Sequence, residues 1–166
     1  MVLTAKAIKY GEDINTDLII AGKYTKTLNV QDLVDHVLED LDPAFREKCD
    51  ENGAVIVAGD YFGCGSSREQ APVALKEAGV KLVAAKSFSR IFYRSAINIG
   101  LPLVECDTTE IQEGDVIEYE VGRDTLRDIT KDITLKVVPL PELMVDILSC
   151  GGMVNFVKSG GLNAIV

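Results

Sequence analysis

The chain has 166 residues and 18.0 kDa, 47% of them hydrophobic and 26% charged, with a formal net charge of −9 and a pI near 4.6. That length suits one domain with a sizeable core, and apolar content near the globular average excludes intrinsic disorder. The charge-free runs fall well short of the ~20 residues a membrane helix needs, and no basic-then-apolar leader opens the chain. The acidic balance speaks against nucleic acid or a membrane as partner, which leaves an expected cytoplasmic protein that can still hold a small anion at a locally basic site.

Residues 2–10 predict an opening strand, with Thr4, Lys6 and Ile8 on one face and Leu3, Ala5 and Ala7 on the other. Gly11 to Asp13 break it, and residues 14–20 read as extended, with Asn15, Thr16 and Asp17 at the centre. Residues 21–29 have loop composition. Residues 30–39 predict a short amphipathic helix with Val30, Leu33, Val34, Val37 and Leu38 on one face. Its lone histidine, His36, reads as a solvated helix residue. A further helical piece runs from Asp42 to about Cys49, and Asn52-Gly53 makes a turn. The run AVIVA at 54–58 has the uninterrupted apolar character of a strand covered on both faces.

A glycine-rich loop at 59–67 then leads into a helix over 68–77, capped by Gly79. Strand 82–85, helix 89–97 and strand 101–105 follow. This alternation implies parallel strands joined by crossovers. Strands at 116–121 and 133–138 read as a hairpin joined by the polar stretch 122–132, and a helix over 142–148 precedes a short helical tail. Nothing in the composition divides the chain, so residues 1–166 are expected to form a single domain.

The four cysteines stand 15, 42 and 44 residues apart, without a C-x-x-C pair. Zinc-knuckle and thioredoxin-like centres have no support, and the thiols read as reduced. With one histidine in the chain, a Ser–His–Asp triad and a histidine-rich metal site are also set aside. The loop after strand 54–58 is the most unusual local sequence. Gly63 and Gly65 permit positive φ and close backbone approach to a ligand. Ser66 and Ser67 bring hydroxyls beside a helix N-terminus, and Arg68 brings a planar cationic fork suited to a carboxylate. The alternative is a glycine turn with a serine cap and a surface Arg68–Glu69 pair, and the loop alone does not choose between them. Asn15 to Asp17 read equally as an Asx-bonded turn or as a polar shelf beside a site. Arg90 and Arg94 share a helix face, either solvated or turned to the anion that Arg68 would hold.

Three segments taken together carry a resemblance. G-E-D-I-N-T-D-L-I-I at 11–20, G-D-Y-F-G-C-G-S-S-R-E-Q-A-P-V-A-L at 59–75 and S-F-S-R-I-F-Y-R-S-A-I-N-I-G-L-P at 87–102, in this order and spacing, closely resemble the small-subunit family of the 3-isopropylmalate dehydratases, within the aconitase superfamily. The resemblance implies an α/β fold of the swivelling β/β/α type, a mixed sheet flanked by helices. It implies a hydro-lyase that moves a hydroxyl between adjacent carbons of a dicarboxylate or tricarboxylate hydroxy acid. Activity would need a large subunit, in a heterodimer or heterotetramer, and that partner would carry the [4Fe–4S] cluster. This chain would bind no cofactor and no metal itself.

By the same resemblance Ser66 is the base that takes the proton from carbon, and Ser67 and Arg68 hold substrate. Asn15, Thr16, Asp17, Gly63, Cys64, Gly65 and Arg90 support the site. Residues 21–52 would form a mobile recognition loop, whose Tyr24, Lys26 and Thr27 meet the group that varies between substrates. Lys26 stands where relatives that take a third carboxylate carry arginine. Small subunits of a homoaconitase or of a dimethylmalate hydro-lyase are therefore the enzymatic alternatives, and a non-catalytic anion-binding module is the other class.

Overall fold

The computed structural model describes residues 1–164, so the last two residues of the expected 1–166 domain lie outside the described residues. A seven-stranded sheet organises it. In chain order the strands are β1 (Val2–Lys9), β2 (Ala54–Ala58), β3 (Val80–Ala85), β4 (Leu103–Glu105), β5 (Val116–Glu120), β6 (Thr125–Asp128) and β7 (Ile133–Lys136). Their order across the sheet is β4-β3-β2-β1-β5-β6-β7. The block β4-β3-β2-β1 is parallel, whereas β1-β5, β5-β6 and β6-β7 pair antiparallel. The helices are α1 (Thr16–Ile19), α2 (Val30–His36), α3 (Phe45–Lys48), α4 (Gln70–Glu77), α5 (Arg90–Ile99), α6 (Glu142–Ser149) and α7 (Met153–Lys158).

Strand alternation divides the core in two. Ile8, Ile56 and Val83 face a cluster with Ile19, Phe45, Leu75 and Phe92 from the helical side. Ala7, Val57 and Leu82 face the other cluster, closed by Tyr119, Leu126, Leu148 and Phe156. Every residue of β2 is buried because both of its faces are covered. The mixed α/β sheet, flanked by helices, is the expected architecture.

Five local expectations change. Residues 14–20 are not extended throughout: Asn15 accepts the Leu18 N–H at 3.1 Å and caps the short helix α1. The helix expected over 30–39 stops at His36, since Val37 and Leu38 leave it to reach the core. Leu38 takes a φ of 57° there, and its N–H bonds Ile19 O at 2.8 Å. Val30, expected on the buried face, is exposed. The last strands form a three-stranded meander, because β6 inserts between β5 and β7. The alternation T-L-R-D carried that strand, hidden in a stretch whose charge resembled a loop. Much of residues 21–52 is also structural, with Leu33, Val37, Leu38 and Phe45 all buried.

Candidate active site

The three singled-out segments meet at the carboxyl ends of β1, β2 and β3, where open parallel sheets place their ligand sites. Main-chain bonds lace them together. Gly59 N–H donates to Gly11 O at 3.0 Å, Gly63 N–H to Ile14 O at 2.7 Å and Thr16 N–H to Cys64 O at 2.9 Å. On the other side Phe62 N–H donates to Ser87 O at 3.0 Å, and Ser89 N–H returns to Phe62 O at 2.9 Å. The loop beyond β2 thus runs as a ladder between its two neighbours. Beneath it Phe62, Phe88 and Phe92 pack together, the first edge-on to both others. Gly63 has a φ of 78°, and a Cβ there would stand 2.2 Å from Phe92 Cγ. Only glycine fits.

That lacing presents Gly65, Ser66 and Ser67 to solvent. The buried Thr16 hydroxyl holds Ser66 by its carbonyl oxygen at 2.7 Å, which leaves the Ser66 side chain free. Among the described residues no acceptor takes the amide N–H of Gly65, Ser66 or Ser67. Neither serine is a helix cap, since α4 starts at Gln70 and its N-terminal flank, Glu69, makes no side-chain cap. The exposed hydroxyls therefore lie among open amides, a set of donors available to an anion.

Arg68 lies inward of them. Its Nη2 is 2.6 Å from Asp17 Oδ1, so the pairing is with Asp17 and not with Glu69. The backbone of the lid, the recognition segment at 21–29, lies against its fork: a Cβ on Gly22 would come within 2.8 Å of Nη1. Arg68 Nε is buried and has no acceptor, so the guanidinium retains donor capacity for a second carboxylate. Gln70 Nε2 donates to Thr25 O at 3.2 Å and ties the lid to α4. Asn15, Thr16, Asp17, Gly63, Cys64, Gly65, Ser66, Ser67 and Arg68 therefore gather at one place.

The remaining candidates stand apart. Tyr24 stacks on His36 at 3.8 Å between centroids, so His36 is engaged and not simply solvated. Thr27 Oγ1 bonds Asp32 at 2.7 Å, and Lys26 is exposed. Arg90 and Arg94 line a separate groove with Phe88, Tyr93, Glu105 and Met144. Three participants carried no signal in the sequence: Gly22, Gln70 and His36 acquire roles only through their neighbours in space.

The thiols do not fit a metal cluster. Burial pushes Cys106 up to about 11, and burial first, then the Asp13 charge, pushes Cys64 up too, so both stay protonated at neutral pH. Cys49 donates to Ala78 O at 3.2 Å and Cys150 stands by Ser159. Among the described residues no group of three His, Cys, Asp or Glu side chains could hold a metal ion. Among the described residues no helix is long and apolar enough to cross a membrane.

Comparison with known proteins points the same way. Residues 6–108 match the Aconitase C-terminal domain family. A 3-isopropylmalate dehydratase small subunit of Caldanaerobacter subterraneus subsp. tengcongensis is 45% identical over 158 residues, covering 94% of this chain and 98% of that protein. A 3-isopropylmalate dehydratase small subunit 2 of Archaeoglobus fulgidus is 49% identical over 162 residues, 97% of this chain and 98% of its own. The crystal structure of a 3-isopropylmalate dehydratase from Methanocaldococcus jannaschii superposes with a TM-score of 0.91 at 43% identity, covering 99% of this chain and 98% of that one.

Proposed function

The chain belongs to the 3-isopropylmalate dehydratase small-subunit family, with its aconitase-type C-terminal domain, and on that premise we propose that it is the swivelling half of a hydro-lyase. It interconverts 2-isopropylmalate and 3-isopropylmalate through the unsaturated 2-isopropylmaleate, in leucine biosynthesis in the cytoplasm. The observation that carries this reading is Ser66, exposed beside open amides and the Arg68 fork.

A hydroxyl is a weak base at its ordinary pKa, so proton abstraction from carbon requires the alkoxide form to be stabilised. The amides of Gly65, Ser66 and Ser67 and the nearby guanidinium supply preorganised positive charge for that purpose. Ser66 Oγ takes the proton from the substrate carbon. Ser67 and Arg68 hold a substrate carboxylate, which exchanges with Asp17 on the fork as the lid at Gly22 draws back. The lid, with Tyr24, Lys26 and Thr27, meets the variable group.

A cluster-bearing large subunit completes the site. This chain's four thiols are scattered, and among the described residues no three metal-binding side chains gather to hold the [4Fe–4S] group. The exposure of Ser66 and Ser67 leaves one side of the cleft for the partner to close. The test combines this chain with a loaded large subunit and follows ultraviolet absorbance of the unsaturated intermediate. Turnover of 3-isopropylmalate, abolished by Ser66→Ala, is the expected result. Preference for homoisocitrate would transfer the assignment to a homoaconitase, with Lys26 receiving the third carboxylate. Turnover of neither that acid, 3-isopropylmalate nor 2,3-dimethylmalate would favour a non-catalytic anion-binding module.

A further inference from the structure

The lid and the domain body meet at one unusual contact. The rings of Tyr24 and His36 lie 3.8 Å apart with 4° between their planes. Rings this close and this nearly parallel cover each other's faces, so each restrains where the other can stand. Other partners hold this pair in place. Glu39 Oε2 is 2.7 Å from His36 Nδ1, and Lys23 Nζ lies 4.9 Å from the centroid of the Tyr24 ring. Glu39 responds to both side chains: its hydrogen bond with His36 first, and the nearby Tyr24 hydroxyl second, hold its carboxyl below the usual range.

The two sides of the contact differ in footing. His36 ends α2, between buried Val34 on one side and Val37 and Leu38 on the other, with Leu38 bonded to Ile19. It is a fixed post on the core. Tyr24 belongs to a segment whose main-chain bonds are mostly short-range: Tyr24 N–H to Ala21 O, Thr25 N–H to Gly22 O, Thr27 N–H to Tyr24 O. The His36 stack joins the Gln70 bond to Thr25 O and the Thr27 bond to Asp32 in tying this segment to the body, and it is the tie that holds the Tyr24 ring.

We propose that His36 is the positioning residue of the recognition loop: by clamping the Tyr24 ring it sets where Lys26 and Thr27 stand, and so sets affinity for the substrate's variable group. His36 touches no reacting atom. The substrate part rests on the function proposed above; the anchoring part does not.

The test uses the full chain with His36→Ala, His36→Phe and Glu39→Gln. Hydrogen exchange is measured on the chain alone, and kinetics with the loaded large subunit. His36→Ala is expected to speed exchange of amides 23–28 about fivefold while β2 and β3 stay unchanged. His36→Phe, which retains a ring for Tyr24 to stack on with a small offset, should bring exchange within about twofold of the parent. KM for 3-isopropylmalate should rise about fivefold in His36→Ala with kcat changed less than twofold, and should recover in His36→Phe. A buried-side packing role would instead loosen the sheet and lower apparent kcat while leaving KM in place. If His36→Ala loosens β2 as well, Glu39→Gln at the half-exposed end decides the anchoring, with faster exchange confined to 23–28 expected. Unchanged exchange at 23–28 overturns the anchoring, and loosened exchange with unmoved KM overturns the effect on affinity. Absence of turnover by the parent protein overturns the proposed function, while the exchange arm still decides the anchoring.

Discussion

Two loops frame the cleft, and they are held by different physics. The loop after β2, residues 59–68, is fixed through its backbone, which exchanges hydrogen bonds with the segments after β1 and β3. The recognition segment, residues 21–29, is held by side chains: a ring stack, a glutamine amide and a threonine–aspartate bond. Backbone ladders survive almost any change of exposed side chain, whereas side-chain ties vanish with one substitution. The hydroxyl proposed to do the chemistry thus sits on an invariant frame, and the residues proposed to choose the substrate sit on a frame that mutation can retune. That division fits a scaffold on which one reaction serves several substrates.

Ser66→Ala gives the largest expected effect. The Thr16 hydroxyl holds this residue by its carbonyl oxygen and leaves the side chain free, so stability should stay within about 0.5 kcal/mol, while turnover falls by roughly 10²–10⁴ on loss of the general base. Chemical denaturation and single-turnover rates check the two halves. A matched pair of glycine substitutions probes the comparison directly. Gly63→Ala puts a Cβ 2.2 Å from the Phe92 ring at a φ of 78°, and a loss of at least about 3 kcal/mol is expected from overpacking and backbone strain together. Gly22→Ala meets only the far end of the Arg68 side chain at 2.8 Å. Its cost in stability should be under about 1 kcal/mol, with a higher KM as the fork shifts. Equal losses of stability would break the distinction between the loops.

Arg68→Lys keeps the charge and loses the planar fork that spans Asp17 and a second carboxylate. A KM increase of about tenfold is expected, with the fold intact by circular dichroism. The smallest effect lies far from both loops. Asp128 is fully buried, with Oδ2 lacking a partner, and stands beside Asp115, which pairs with Lys131 at 2.9 Å. Burial first, then the Asp115 charge, raises the Asp128 carboxyl above the usual range. A carboxyl raised in the folded state favours folding at low pH, and that contribution is lost as pH climbs from the ordinary value through the raised one. Asp128→Asn removes the loss and keeps an acceptor for Lys131 N–H. The variant should match or exceed the parent by about 1 kcal/mol at pH 7, and the gap should narrow toward pH 4. A variant less stable at pH 7 would count against the raised Asp128 carboxyl.

The central strands and the helices between them were legible because burial on both faces, or one apolar stripe, leaves a period that sequence alone displays. The parallel block followed from that alternation, whereas the mixed sheet was what the family resemblance implied. β6 was missed because only Leu126 of its uncharged residues turns inward, and an edge-region strand with three polar neighbours resembles a loop. The end of α2 was misplaced because Val37 and Leu38 continue a helical stripe, yet reach the core only by leaving the helix.

The sequence by itself determined the chemistry available: no triad, no metal set, a serine pair and an arginine on a glycine loop, and motifs that marked the family. Tertiary structure alone decided which groups meet. Arg68 faces Asp17, 51 positions away, and not the adjacent Glu69, because the parallel β1–β2 pairing sets their two loops side by side. Tyr24 meets His36 because α2 folds back onto the core beside the lid. Periodicity is a property of neighbours along the chain, while ion pairs, stacks and open amides depend on neighbours across it.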